Sequence, residues 1–394
     1  MARILMAWEL GGGMGHLDRM LNNARALRER GHVVAFALRD LSRAHGRVAV
    51  EGFDMMQAPV WLPPMLKPPA LGNYSALLAA AGWLNAPGLA ALILAWQQLF
   101  TLWKPDRVIC DHGPTAALSA RLSGTPHWLV GNSFEVPPQA ARFPPMSYWI
   151  PEHAALCAQW DALLLRHTNQ ALDLLGQEPL ARLTDIFSSA GRAILSIPEL
   201  THYPDAAETA PVLGPSFVDD IGLPPQWPES AGPRIFVYLA PTHHDFGPLL
   251  LALRKSGACV LVHAKGVTPT QIAQLATSSI RIEPEPLHVA ATLRDTDLVV
   301  SHAGIGLASA AALAAKMQLV LPRHTEQAMV ARRVEECGIG LQIPLGQKNP
   351  PFASMVKRLL EDTGFRAAAG RLAERHAGAS PTRTAQAVAD LVLA

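Results

Sequence analysis

Short, unbroken apolar runs recur along this chain: Ile4 to Trp8, Val33 to Leu38, Arg107 to Cys110 and His127 to Val130, then Ile235 to Leu239, Cys259 to Val262, Leu298 to Val300 and Leu319 to Leu321. A strand with one wet face alternates apolar and polar residues, whereas a continuous run belongs to a strand covered on both faces. Between the runs the period changes to that of a helix, as in Leu17, Leu21, Ala24 and Leu27. Repeated βα units of this kind imply an α/β fold with a parallel, doubly wound sheet. Asn169 to Leu183, Leu249 to Lys255, Phe352 to Asp362 and Pro381 to Leu393 also carry helical patterns.

The series stops and restarts around Gly214 to Pro233, a polar interval punctuated by Gly-Pro-Ser, Leu-Pro-Pro and Trp-Pro-Glu-Ser-Ala-Gly-Pro. With 394 residues, too many for one ordinary core, the expected division is a first domain over 1–217, a linker over 218–233, a second domain over 234–380 and a terminal helix over 381–394. Two doubly wound, Rossmann-like domains facing each other put the loops at their strand C-termini on opposite walls of one cleft.

Composition narrows the classes of function. Charged residues are 16% of the chain and the net charge is +1, which gives no electrostatic reason to expect nucleic acid. Cys110, Cys157, Cys259 and Cys337 have no paired spacing and read as thiols in a reducing compartment. The N-terminus runs straight into a short apolar segment without a basic region before it, so a cytoplasmic location is expected. From Ser75 to Trp103 the chain is almost uncharged, but Asn85, Pro87, Gly88, Gln97 and Gln98 divide it into pieces too short to span a bilayer. Two buried helices are expected there, with a peripheral membrane contact or a greasy pocket as the alternatives.

The second half contains Ser301-His302-Ala303-Gly304-Ile305-Gly306 and, further on, Pro322-Arg323-His324-Thr325-Glu326-Gln327. In the first segment an apolar run feeds a small-residue turn and an alanine-rich helix, whose leading amides and positive dipole end make an anion site suited to a diphosphate. In the second, a polar loop after a short strand offers Glu326 and Gln327 as partners for adjacent sugar hydroxyls. Phosphate at one loop and hydroxyls at the next describe a nucleotide sugar.

These segments resemble the donor signature of the inverting UDP-glycosyltransferases of the plant and antibiotic type, which share the GT-B fold. Leu293-x-x-x-Asp297 before the motif and Glu335-x-x-Gly338-x-Gly340 after it extend the likeness. The resemblance implies that His302, Ala303, Gly304 and Gly306 lie at the donor phosphates and that Glu326 and Gln327 bind the transferred sugar. Thr242, taken to end the second domain's first strand, is a further candidate for the diphosphate. The chain departs from the family pattern at Ala303, where many relatives have Gly, and at Ala310, where they have a ribose-binding Glu.

The first strand is followed by Glu9-Leu10-Gly11-Gly12-Gly13-Met14-Gly15-His16, with a helix expected from about His16. Glycines let such a loop take positive φ and pass close to a ligand. The dinucleotide fingerprint is not met, because the third glycine is missing and the second strand ends in Arg39-Asp40. The family carries its catalytic base as Gly-His at this junction, which corresponds to His16. Asp111 ends the third run, and a carboxylate there can reach a histidine at the first strand's tip, the orienting half of a triad. The competing role for Asp111 is a helix N-cap.

The acceptor wall is assigned to Pro59 to Tyr74, Gly82 to Trp96 and Asn132 to Trp149, with Gly15, Trp83 and Phe134 as named candidates. Their apolar and aromatic character favours a hydrophobic small molecule or lipid. No metal and no cofactor beyond the nucleotide-sugar substrate are expected; His243-His244-Asp245 looks metal-like, but adjacent histidines are expected to point apart. The rival readings are a GT-B sugar-nucleotide epimerase and a non-catalytic nucleotide-sugar-binding relative.

Overall fold

A computed structural model describes every residue except 43, 64–71, 189–190 and 218–221. The chain divides into two compact units, residues 1–216 with 380–394, and residues 217–379.

The first unit holds a parallel sheet of six strands: β1 (Arg3–Trp8), β2 (Val33–Leu38), β3 (Asp54–Gln57), β4 (Arg107–Asp111), β5 (His127–Gly131) and β6 (Gly191–Ile194). Their order across the sheet is β3-β2-β1-β4-β5-β6. The second unit holds β7 (Arg234–Tyr238), β8 (Cys259–His263), β9 (Ile280–Glu283), β10 (Leu298–Ser301), β11 (Met317–Val320) and β12 (Gly340–Gln342), in the order β12-β11-β10-β7-β8-β9. Counted within each unit, the two sheets have the same topology. Strand order reverses between β1 and β4 in one and between β7 and β10 in the other, and such switch points are where open α/β sheets form ligand crevices.

The chemistry of the runs explains the architecture. Ile4 to Ala7 are fully buried on both faces of β1, and Val260 to Val262 on both faces of β8. The helix Met14–Glu29 turns Leu17, Met20, Leu21, Ala24 and Leu27 inward, each buried leucine being worth about 2 kcal/mol. Ala385, Val388, Ala389 and Val392 of the terminal helix Pro381–Leu393 join the same core. Arg30 pairs with Asp390 at 2.7 Å beside it. Residues after 221 in the polar interval are tied to the second unit: Leu223 donates to Pro286 and accepts from His288, and Trp227 packs on the core that contains Phe236 and Val299.

Several sequence expectations need correction. The helix expected over Asn169 to Leu183 is instead the end of a long helix, His153–Leu174; Gly176 then takes φ +63°, and Asn169 holds the backbone of Leu180. The first helix begins at Met14, two residues before His16. Gln97 and Gln98 do not break the apolar stretch. After a kink at Ala81 and Gly82, one helix runs from Ala86 to Trp103, started by Asn85, whose side chain accepts from the Gly88 amide. Its 18 residues are long and apolar enough to cross a membrane by length and composition. However, its Leu89, Ile93, Trp96 and Phe100 face is buried against the helices Pro114–Leu122 and His153–Leu174, the pattern of a core helix.

Candidate active site

β1 and β4 are paired in register with Trp8 beside Asp111, so the loops leaving them share the first switch point. Gly11, at φ +80°, and Gly13, at φ +104°, turn the chain from β1 into the first helix, which places His16 in its first turn. Gly11 is irreplaceable on space as well as φ: a Cβ there would meet His16 Nε2 and His112 Nδ1. His16 lies stacked between Trp8, at 5.2 Å, and His112, at 5.9 Å.

His16 Nδ1 stands 2.7 Å from Asp111 Oδ1. A hydrogen bond to a carboxylate places the ring hydrogen on Nδ1 and leaves Nε2, which faces Gly11, as the basic nitrogen. Asp111 does not cap the helix Pro114–Leu122; that helix is preceded by Gly113 and has no cap from a neighbouring side chain. Its free amides at Thr115 and Ala116 go to the carboxylate of Glu9.

Three groups here were not legible in the sequence. Arg19 is buried and bidentate on Asp111, with Nε 2.7 Å from Oδ2 and Nη2 2.7 Å from Oδ1. Its Nη2 also reaches Glu135 Oε2 at 2.6 Å and lies 3.2 Å from His16 Nδ1. Glu135, in turn, is 3.5 Å from His16 Nδ1. Burial alone would raise the Asp111 pKa, but Arg19 and His16 outweigh it and hold the group at about 2. His112 sits at φ +49° with neither ring nitrogen hydrogen-bonded among the described residues. Burial, reinforced by His16, lowers its pKa to about 3, so its imidazole is neutral.

Glu9 is the third. Burial outweighs its hydrogen bonds from the Ala116 amide and from the side chain and amide of Thr115, and raises its pKa from 4.5 to about 7. The folded state therefore favours the protonated acid. No stability is lost below pH 4.5; the loss grows as pH rises toward 7 and reaches about 3 kcal/mol above it. Denaturant midpoints measured from pH 5 to 8 should fall in the wild type and fall less steeply in Glu9→Gln.

The second unit carries the other cluster. β7 and β10 are paired with Tyr238 beside Ser301. His302 follows β10 and accepts from the Ala240 amide through Nε2, at 2.8 Å. Burial, then His243 and Arg323, lower its pKa to about 4, which keeps it neutral. Ala303 is fully buried at φ +62°, a left-handed conformation in which glycine carries no strain. Gly304 then precedes the helix Ile305–Leu313, whose first amides, from Gly304 to Leu307, have no intrahelical partner and, among the described residues, no side-chain cap. Gly306 sits in that helix's first turn. Ala310 is packed into apolar core with Phe236 and Val299.

Glu326 and Gln327 are in the first turn of the helix Thr325–Glu336, not in a loop. Gln327 Oε1 accepts from the Arg323 amide at 2.9 Å and so braces the turn before it. Thr242 does not end a strand; β7 stops at Tyr238, and Thr242 is exposed in the following turn. His243 and His244 do not point apart, because their rings stack at 4.6 Å.

Of the residues the sequence assigned to an acceptor wall, Gly15 is exposed in the first helical turn, and Phe134 packs edge-on against His112 at 6.0 Å. Trp83 is completely buried and belongs to the core instead of a pocket wall. Trp61 covers Gly82 and Gly88, where no Cβ fits beneath its indole. Residues 64–71 of the Pro59 to Tyr74 segment lie outside the described residues.

Two groupings among the described residues have the composition of a metal site, His16–His112–Glu135 and His243–His244–Asp245. In the first, His16 Nδ1 is held by Asp111 and Glu135 Oε2 by Arg19. In the second, His243 Nδ1 accepts from the Asp245 amide. Asp295-Thr296-Asp297 has the Asp-x-Asp spacing of a metal motif. It precedes β10, at the opposite end from His302, and both carboxylates are engaged by Arg234.

Residues 258–391 match the family described as Erythromycin biosynthesis protein CIII-like, C-terminal domain. A zeaxanthin glucosyltransferase of Pseudescherichia vulneris is 27% identical over 216 residues, which span 52% of this chain and 48% of that protein. Among solved structures, the glycotransferase of kitacinnamycin superposes with a TM-score of 0.74 at 18% identity, covering 100% of this chain and 98% of its own. CalG4, the calicheamicin glycosyltransferase, gives 0.72 at 19% identity over 99% and 98%. VinC, a glycosyltransferase in complex with dTDP, gives 0.68 at 17% over 99% of both chains. Over its whole length this chain shares the two-domain GT-B fold of these glycosyltransferase structures, and its residues 258–391 match the Erythromycin biosynthesis protein CIII-like C-terminal domain.

Proposed function

We propose that this protein transfers a sugar from a nucleoside-diphosphate donor, UDP- or dTDP-linked, to a hydroxyl of a hydrophobic small molecule or lipid, with inversion and without a metal. The observation that carries the proposal is the buried Asp111–His16 contact at the first switch point, with the basic Nε2 turned toward the glycine loop. His16 Nε2 takes the proton of the acceptor hydroxyl, the oxygen bonds to the anomeric carbon, and the bond from that carbon to the diphosphate oxygen breaks. Asp111 balances the imidazolium that forms. The amides at the start of the helix Ile305–Leu313, which no side chain caps among the described residues, supply the preorganised charge that receives the leaving diphosphate. The dTDP complex of VinC supports the donor class, and the zeaxanthin glucosyltransferase supports an apolar acceptor bearing a hydroxyl.

Titration of the protein with dTDP, UDP and their hexose conjugates tests the donor half. His302→Ala is expected to weaken binding of the bare diphosphate, since it loosens the turn that presents the amides. Glu326→Ala is expected to weaken the sugar conjugate by about 1 to 2 kcal/mol while leaving the diphosphate nearly unchanged. Equal losses for both ligands in Glu326→Ala would remove Glu326 from the sugar site. Transfer is expected to survive excess chelator; its abolition there would refute the metal-free route.

A further inference from the structure

We propose that Arg19 and Glu135 are positioning residues that hold the His16–Asp111 pair in its working geometry. This rests on His16 being the base. A hydrogen-bonded chain runs from the tip of β5 to the imidazole. The backbone amide and the side-chain amide of Asn132 donate to Glu135 at 2.8 and 3.0 Å. Glu135 accepts from Arg19 at 2.6 Å, Arg19 grips both oxygens of Asp111 at 2.7 Å, and Asp111 accepts from His16 at 2.7 Å.

Local sequence makes the chain of contacts. Arg19 stands three residues after His16, so the two side chains share a helix face. Gly131 leaves the room that Glu135 Oε2 occupies, since a Cβ there would meet that oxygen. Every member is at least nine-tenths buried. A planar guanidinium fixes the carboxylate plane through two parallel bonds, which a single point charge cannot do. With Asp111 free to rotate, the imidazole would keep its partner and lose its orientation. The charges also suit a base, because Asp111 and Glu135 face one guanidinium and the formal sum reaches zero when the imidazole carries its second proton.

A buried ion pair that merely ties the first helix to the sheet would affect stability and both kinetic constants without preference. A positioning pair acts on kcat through Asp111. The test is a double-mutant cycle of Arg19→Lys, which keeps the charge and loses the fork, with Asp111→Asn. His16→Ala is measured alongside, with donor affinity and thermal unfolding for each variant.

Arg19→Lys is expected to lower kcat by at least about ten-fold with KM for donor and acceptor within about three-fold, and to add less than about two-fold in the Asp111→Asn background. A kcat within two-fold of wild type, or the same loss in both backgrounds, would overturn the positioning role. If Arg19→Lys fails to fold, the isoelectric pair Arg19→Gln with Glu135→Gln is read by the same criteria. The two readings separate through His16→Ala. If that variant is inactive while Arg19→Lys is normal, only the positioning role falls; if it is as active as wild type, the base assignment falls and the positioning role with it.

Discussion

His16→Ala is expected to lower acceptor glycosylation by about 10² to 10⁴-fold, the usual contribution of a positioned general base, while nucleoside-diphosphate affinity stays within about two-fold. The ring belongs to the first unit, whereas His302, Gly304, Glu326 and Gln327 all lie in the second. Losing the imidazole removes the proton acceptor and opens the space between Trp8 and His112, yet it leaves the helix Met14–Glu29 with its apolar stripe intact. Steady-state rates with saturating acceptor, paired with calorimetric titration of the diphosphate, measure both quantities. Retention of more than about a tenth of the wild-type rate would be too much for a site that has lost its base.

Asp111→Asn is the second large effect. An amide cannot accept from Arg19 along both bonds and from His16 Nδ1 as well, so one donor is left facing an NH₂ group. The imidazole then loses the carboxylate that sets its tautomer and balances its charge, for an expected fall in kcat of at least about 10³-fold. Arg19 keeps Glu135, which limits the structural penalty to about 3 kcal/mol, the lower end for breaking a buried pair.

The pH behaviour follows from the depressed pKa of Asp111, about 2 against the ordinary 3.8. Its stabilising contribution is fully present above pH 3.8 and disappears as pH falls through 2. Acid unfolding below pH 4 should therefore be less steep in Asp111→Asn than in the wild type. A loss of activity between pH 5 and 7 that persists in a stable, folded protein has to come from another group.

The strands that the sequence revealed and those it hid differ in one physical respect. β3, β6, β9 and β12 carried no clear run, and they are the four edges of the two sheets. An edge strand is short and half wet: Asp54-Met55-Met56-Gln57 has no fully buried residue, and Ile280-Arg281-Ile282-Glu283 alternates. The interior strands, covered on both faces, wrote themselves as continuous apolar segments. Helix extent was harder, because Gln97 and Gln98 look like breakers in sequence yet sit within a helix started by Asn85 and Pro87.

At the site, His16 and Asp111 were legible because each ends a recognisable βα junction. Arg19 and Glu135 were not, since 92 and 116 residues separate Arg19 from its two partners. The available signal was an arginine three residues after the histidine, on the face of a helix that also turns Leu17, Met20, Leu21 and Ala24 inward. Trp83 misled in the opposite direction: an aromatic residue in a proline-rich, variable-looking segment read as a pocket wall, while the folded chain seals it completely.

The most direct measurement is single-turnover analysis with a radiolabelled nucleotide sugar and a hydroxylated apolar acceptor, following free nucleoside diphosphate, glycosylated acceptor and recovered donor together. Diphosphate and glycoside should appear in equal amounts only when acceptor is present, with the glycosidic bond inverted relative to the donor, and neither should appear with His16→Ala. Release of diphosphate without acceptor, recovery of an epimerised sugar, or tight donor binding with no turnover toward any acceptor would contradict the account.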